Sequence, residues 1–481
     1  MLRALAARRR RLPRDRTSPL NSLPFASLNL QAALVANLDS LQYRAMTPIQ
    51  AQSLPAILAG RDLIGQGKTG SGKTAAFGLG LLDKLDVGRF QVQALVLCPT
   101  RELADQVAKE IRKLGRAIDN IKVLTLCGGM PFGPQANSLE HGAHVVVGTP
   151  GRVEDHLSRG TLKLHRLTTL VLDEADRMLD MGFQPAIDAI VAQAPPQRQT
   201  LLFSATYPEQ IAAMARRVMA DPLVVKVEST HDDATISQLF YPVEDSARVM
   251  ALRLLLLHHR PDGAVVFCTT KRECQQVATE LDRAGFSVLA LHGDLEQKDR
   301  DQALVRFASQ SISVLVATDV AARGLDIDSL GMVINLHIPR DFDTHVHRIG
   351  RTGRAGGRGL ACTLFSERER PKLARLEAAL ERTVESTPLP PLALLDTPTY
   401  KPPMATLQVD GGKKQKVRAG DILGALTGED GVEGKDVGKI QIFDNWSFVA
   451  VRRGQVKVAL RKLGQGKMKG KSFRVRWLGE A

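Results

Sequence analysis

Two carboxylates, Asp173 and Glu174, follow directly on the short apolar run Thr169–Leu172. A run of β-branched and apolar residues predicts a buried parallel strand, and ligands of open α/β sheets bind where such strands end. At that edge Asp173 can hold a hydrated Mg2+ and Glu174 can orient or deprotonate a water. Taken alone, the pair also describes a solvated strand-to-helix turn. A second motif upstream shifts the balance. Gly67-Lys68-Thr69-Gly70-Ser71-Gly72-Lys73-Thr74 fits the pattern G-x-x-x-x-G-K-[ST]. There Gly70 and Gly72 free backbone N–H groups to cradle phosphates, Lys73 reaches the β/γ oxygens, and Thr74 coordinates the metal. The run Leu63-Ile64 before it and a helical pattern after it supply the expected strand–loop–helix context.

The elements that must position these groups repeat along the chain. Ala94–Leu97, Val145–Val147, Thr169–Leu172 and Leu201–Phe203 read as strands, each followed at once by small or polar residues. Repeated βα order predicts a parallel sheet with right-handed crossovers, which gathers those strand ends along one edge. After a polar stretch at 228–235 the rhythm restarts with Ala264–Phe267, Val314–Ala317 and Met332–Ile334. Two α/β units in tandem are expected, over 21–228 and 236–383, with a cleft between them. Only the first carries a phosphate loop. Prolines 388, 390, 391, 398, 402 and 403 mark 384–403 as a semi-extended spacer. Beyond it, strand and helix patterns in the order βαββαβ fill 404–481, the topology of RNA-recognition modules.

Charge is unevenly placed on this 481-residue chain of net charge +14. Residues 1–20 hold seven Arg and one Asp, residues 404–481 hold sixteen Lys/Arg and eight Asp/Glu, and 21–403 balance at 42 of each sign. A neutral middle with two basic ends suits a polyanionic partner. The first twenty residues have no apolar core of secretory type and are expected to be a disordered basic arm or the product of a start codon assigned too far upstream. Five scattered cysteines without a C-x-x-C pair indicate reduced thiols, hence a cytosolic setting. No apolar run approaches the ~18 residues that span a bilayer.

The second unit ends in His347-Arg348-Ile349-Gly350-Arg351-Thr352-Gly353-Arg354. Spaced arginines on a unit lacking its own phosphate site suit arginine fingers, which are worth about 10³–10⁵ in rate. With these motifs in order, the chain resembles the DEAD-box RNA helicases of superfamily two, from Phe25 to Gly356. The resemblance implies two RecA-like parallel-sheet domains followed by the small α+β, RRM-like domain, and an RNA-dependent ATPase with ATP and Mg2+. Thr47-Pro48-Ile49-Gln50 is similar to the Q motif, in which Gln50 would read the adenine edge and Phe25 would stack on the ring. Asp173-Glu174-Ala175-Asp176 is similar to the naming motif. Ser204-Ala205-Thr206 resembles the segment that, with Asp176, couples hydrolysis to strand separation.

The ATP set is then Phe25, Thr47, Gln50, Gly70, Ser71, Gly72, Lys73, Thr74 and Asp326. Thr74 and Asp173 would hold Mg2+, and Glu174, Lys73, Arg351 and Arg354 would be catalytic. RNA would be touched by Arg101, Gly129, Thr149 and Arg152 in the first unit and by Arg300 and Thr318 in the second. Gly67 stands where the family usually has alanine, and the cradle is unaffected.

The tail resembles that of a bacterial subfamily directed to 23S ribosomal RNA, through Asp410–Lys414, Gly420–Gly428 and Gly438–Ile440. Its first strand has no aromatic residue, so Lys413, Lys414, Lys416 and Arg418 are expected to grip phosphates, with Trp446 and Phe448 as two stacking places. The expected function is local unwinding of structured RNA by a cytoplasmic monomer during large-subunit assembly. Two rivals stand beside it: an enzyme acting on DNA, and an ATP-gated RNA clamp or general RNA chaperone.

Overall fold

The central apolar tetrads become strands because both of their faces are covered, which favours continuous hydrophobic runs over alternation. The computed structural model describes residues 23–67, 70–227, 236–322, 330–353, 359–466, 468 and 470–479. The chain divides into two compact units at Ser229 and Thr230. The expectations for residues 1–20 and for 228–235 lie outside the described residues.

The first unit carries β1 (Leu63–Gln66), β2 (Ala94–Leu97), β3 (Val123–Leu126), β4 (Val145–Gly148), β5 (Thr169–Leu172), β6 (Gln199–Ser204) and β7 (Leu223–Lys226). They form one sheet in the order β3-β4-β2-β5-β6-β1-β7, every pairing parallel. Alternate strand residues point to opposite faces. Val96, Val171, Leu201 and Phe203 join one buried cluster, and Leu95, Leu170, Leu172 and Leu202 join the other. Parallel order with helical crossovers puts every carboxyl end on the same edge.

The second unit has two sheets. β8 (Ile236–Pro242), β9 (Ala264–Cys268), β10 (Val288–Leu291), β11 (Val314–Thr318), β12 (Met332–Asn335) and β13 (Gly359–Phe365) form a parallel sheet ordered β10-β11-β9-β12-β13-β8. β14 (Met404–Val409), β15 (Val437–Ile442), β16 (Ser447–Arg452) and β17 (Val475–Trp477) form an antiparallel sheet ordered β15-β16-β14-β17. The helices Ala419–Thr427 and Val456–Gln465 cover one face of it, through Ile422, Leu426, Ala459 and Leu463 against Leu407, Val409, Val449 and Val451.

Segment 384–403 is tied down along its length. Thr387 donates its backbone N–H to Phe240 O at 2.7 Å, Leu389, Leu394 and Leu395 pack on the parallel-sheet core, and Thr399 Oγ1 donates to Gly285 O at 2.7 Å.

The outer face of the antiparallel sheet is also occupied. The Thr406 and Ser311 hydroxyls are hydrogen-bonded, Met404 N–H donates to Gln310 O at 3.3 Å, and Arg306 Nη2 donates to Gly479 O at 2.9 Å. Thr406, Gln408, Phe448 and Ala450 share that face by register and are all buried. This corrects one expectation: Phe448, at 2% exposure, offers no stacking surface.

Candidate active site and RNA-facing edges

The phosphate loop leaves β1 and enters the helix Lys73–Asp83. Gly70 and Gly72 have φ of +84° and +97°, a region that side chains disfavour. At Gly72 a Cβ would also lie 2.5 Å from Gln50 Nε2. Lys73 is buried and donates from Nζ to Gly67 O at 2.6 Å. Lys68 and Thr69 lie outside the described residues. Thr47 precedes the helix Pro48–Leu58, and Gln50 Oε1 accepts its backbone N–H at 2.9 Å. Gln50 Nε2 donates to Gly72 O at 3.1 Å. Phe25, in a short 3-10 turn, is buried against the Tyr43 ring at 6.3 Å.

At the end of β5, Asp173 Oδ1 accepts the Glu174 N–H at 3.1 Å. Glu174 takes a left-handed conformation, φ +49°, before the helix Ala175–Asp180. Holding a non-glycine residue there costs on the order of 1 kcal/mol. Burial pushes the Asp173 carboxyl up to about 7; Lys73 draws it down, and Glu174 and Asp176 add to the rise.

β6 closes the constellation. Ser204 O accepts the Gly67 N–H at 3.1 Å, and Asp176 Oδ2 accepts from Thr206 twice, from N–H at 3.1 Å and from Oγ1 at 3.0 Å. The phosphate loop, the carboxylate motif and Ser204–Thr206 are therefore hydrogen-bonded neighbours on adjacent strand ends.

The other half of the same edge gathers the candidate RNA groups. Arg101 opens the helix after β2, and its Nη2 sits 3.3 Å from Met130 Sδ. Gly129, φ +73°, lies in the turn after β3. Thr149 precedes the helix Pro150–Ser158 after β4, and Arg152 Nη1 donates to Met130 O at 3.0 Å. Arg101 and Arg152 thus bracket one turn.

In the second unit Arg300 lies on the helix Gln297–Ala308 and Thr318 ends β11, buried. Arg351 stands in the turn after the helix Phe342–Ile349, its N–H on Arg348 O at 3.2 Å. Arg354 and Asp326 lie outside the described residues. Arg348 was missed by spacing alone. It is buried, pairs with Asp319 through Nε at 2.7 Å and Nη2 at 2.8 Å, and donates to Asn335 Oδ1 at 3.0 Å. The repeat of arginines every third residue gave no sign that the first turns inward.

In the tail, Lys413, Lys414, Lys416 and Arg418 are exposed. The loop is pinned by Lys413 N–H on Phe443 O at 2.8 Å and Lys414 N–H on Asp444 O at 2.9 Å. Trp446 lies just before β16, 6.4 Å from the Phe443 ring, with Lys298 Nζ 5.9 Å from its centroid.

Comparison with known proteins agrees with this arrangement. The DEAD/DEAH box helicase model matches residues 47–214, the helicase conserved C-terminal domain matches 247–356, and the DbpA RNA binding domain matches 406–477. The chain is 54% identical to the ATP-dependent RNA helicase DbpA of Escherichia coli strain K12, over 94% of this chain and 99% of that one. The chain belongs to the DEAD-box RNA helicases.

Among other relatives of this DEAD-box helicase, the DbpA of Bacillus subtilis strain 168 is 37% identical over 94% of this chain and 98% of its own. The DEAD-box ATP-dependent RNA helicase CshA of Geobacillus kaustophilus is 44% identical over 76% and 79%. The solved structure of S. cerevisiae Dbp5 bound to RNA and ADP BeF3 matches with a TM-score of 0.69 at 29% identity, covering 76% of this chain and 95% of that one. The two parallel sheets are the RecA-like domains of such a helicase, and the antiparallel sheet belongs to its RNA-binding domain. It is an RNA-dependent ATPase.

Proposed function

We propose that this helicase uses ATP to unwind or remodel structured RNA locally, with 23S rRNA of the maturing large ribosomal subunit as its target in the cytoplasm. The observation that carries the target is the match of residues 406–477 to the DbpA RNA binding domain, on a loop that presents Lys413, Lys414, Lys416 and Arg418 to solvent. Among the described residues, no helix is long and apolar enough to cross a membrane.

Position on the sheet edge supports the roles of the first-unit residues, and the family motifs supply the rest. Gly70, Ser71, Gly72 and Lys73 take the phosphates, and Thr47, Gln50 and Asp326 take the adenosine; Phe25, at 3% exposure, offers no ring face for the expected stacking. Asp173 and Thr74 fit a divalent cation: a buried carboxyl pushed up to about 7 is a group that a nearby cation would return to its charged form. Among the described residues no group of three or more His, Cys, Asp or Glu is placed to hold a metal ion. That suits Mg2+, which takes few protein ligands beside phosphate and water. Bound there, it would neutralise charge on the β- and γ-oxygens. Glu174 orients the attacking water and accepts its proton. Asp176, Ser204 and Thr206 relay the change at the phosphate loop, and Arg351 and Arg354 are assigned the arginine fingers.

Truncation after Pro403 tests the target. ATPase activation is measured against concentration of a 23S-derived hairpin RNA and of an unrelated hairpin. The expected result is a selective loss of affinity for the 23S-derived RNA. An equal loss for both would make the tail a plain electrostatic anchor and remove the rRNA assignment.

A further inference from the structure

Between the ends of β3 and β4 sits a side chain with no role so far. Gln135, in the helix Phe132–Glu140, donates from Nε2 to Cys127 O at 3.1 Å, just before the Gly128-Gly129 turn. Its Oε1 accepts from Arg152 Nη1 at 3.0 Å and lies 3.1 Å from His156 Nε2. The same Arg152 nitrogen donates to Met130 O, on the far side of that turn. One amide therefore ties the turn to the arginine. A guanidinium N–H requires an acceptor, so the amide can face Arg152 only with its oxygen.

His156 backs this arrangement. It is fully buried, and burial, aided by Arg152, holds its imidazole below the usual histidine range. The neutral ring has one N–H. Facing Gln135 Oε1, that N–H must be on Nε2, which leaves Nδ1 to accept the Thr161 hydroxyl at 2.8 Å. Phe132 stacks on the imidazole at 4.1 Å and 15°, with the Arg159 guanidinium 4.5 Å from the Phe132 ring centre. The stack joins the helix Phe132–Glu140 to the helix Pro150–Ser158.

We infer that Gln135, held by His156, is a positioning residue for RNA binding, fixing Arg152 and the Gly128-Gly129 turn together against the backbone of one RNA strand. The Arg152 side chain is only 14% exposed, and with Nη1 committed to protein its rotamer is already chosen before RNA arrives. Pre-organisation of this kind removes an ordering cost from binding. The inference rests on the reading of Arg152 as an RNA contact, and the two fail separately.

The test is RNA-activated ATPase of the full chain against RNA concentration, for wild type, Gln135→Ala, Gln135→Glu, Arg152→Ala, and the double variant Gln135→Ala with Arg152→Ala. Ser138→Ala, whose hydroxyl donates to Pro134 O within its own helix, controls for general loosening of the helix. Loss of a hydrogen bond to a charged group predicts a roughly tenfold rise in the half-activating RNA concentration for Gln135→Ala. The maximal rate should stay within about twofold of wild type. The double variant should fall short of the product of the single effects. Gln135→Glu keeps the acceptor but neutralises Arg152 and cannot donate to Cys127 O, so it should also lose RNA affinity; it carries the test should the alanine variant unfold. An unchanged RNA dependence in Gln135→Ala and Gln135→Glu beside an affected Arg152→Ala overturns this inference alone. Multiplicative effects in the double variant overturn it too. An unaffected Arg152→Ala removes the underlying reading of that arginine.

Discussion

The side-chain amide of Gln50 donates to the carbonyl of Gly72 at 3.1 Å while its oxygen accepts the Thr47 N–H at 2.9 Å. Gln50, proposed as the base reader, and the phosphate loop are thereby one hydrogen-bonded piece. An amide oxygen has two lone pairs and its nitrogen two hydrogens, so Gln50 keeps one acceptor site and one donor for a base.

That remaining pair matches adenine, which offers an N6 amine and an N7 acceptor. Guanine offers two acceptors at the same edge. ATP should therefore be hydrolysed and GTP largely ignored. Gln50→Ala should weaken nucleotide use and blunt the preference. Steady-state turnover with both nucleotides at saturating RNA is the measurement; equal turnover by the unmodified protein contradicts the assignment.

The left-handed turn at Glu174 places the carboxylate after the buried Asp173 at the sheet edge. Glu174→Gln should keep ATP and RNA binding but slow turnover by about 10²–10⁴, the usual worth of a general base. Lys73→Ala should differ by losing nucleotide binding itself. Nucleotide affinity and single-turnover hydrolysis separate the two, and normal turnover by Glu174→Gln would rule out its role.

Asp176 receives two hydrogen bonds from Thr206. Thr206→Val keeps the shape and the backbone N–H but removes the hydroxyl donor. Losing one bond to a carboxylate costs about 1.5–3 kcal/mol. Because Asp176 also adjoins Ser204, whose carbonyl holds the Gly67 N–H, strand displacement should fall further than ATP hydrolysis. Both are measured on one short duplex; a parallel decline would show that Thr206 serves hydrolysis alone.

Acid should loosen the second unit at His345. This residue is fully buried, with Nε2 3.0 Å from Gln238 Oε1. Burial lowers its imidazole to about 4, and Arg348 and Arg382 add to the shift. A folded-state pKa below the unfolded one gives stability that is complete above the unfolded value, near 6.5, and is lost as pH falls toward 4. Across that window each pH unit should cost about 1.4 kcal/mol from this group. Urea midpoints at pH 7 and pH 5 should converge in His345→Gln relative to wild type.

Much of the design is local and therefore legible in the chain. Strand runs, the glycine and lysine spacing at 67–74, the carboxylates after Leu172 and the arginines after His347 stand out because each motif is contiguous. Parallel order alone then implies that the motifs of the first unit share an edge, since every strand of its sheet points the same way. The basic tail was legible as charge and as alternating strand and helix patterns.

What only the tertiary structure decided are pairings between residues on different elements. Gln50 meets Gly72, Asp319 meets Arg348, and Gln135 meets Cys127, Arg152 and His156. Composition is silent on these, because register and crossover geometry set which side chains face one another. The burial of Phe448 is of the same kind. An aromatic on a strand of an RNA-recognition module reads as a stacking platform until Thr406 on its face is found against Ser311. The residues of 384–403 read as a spacer for the same reason. Proline content sets how extended a segment is, while the grooves of the neighbouring domain decide whether it lies down.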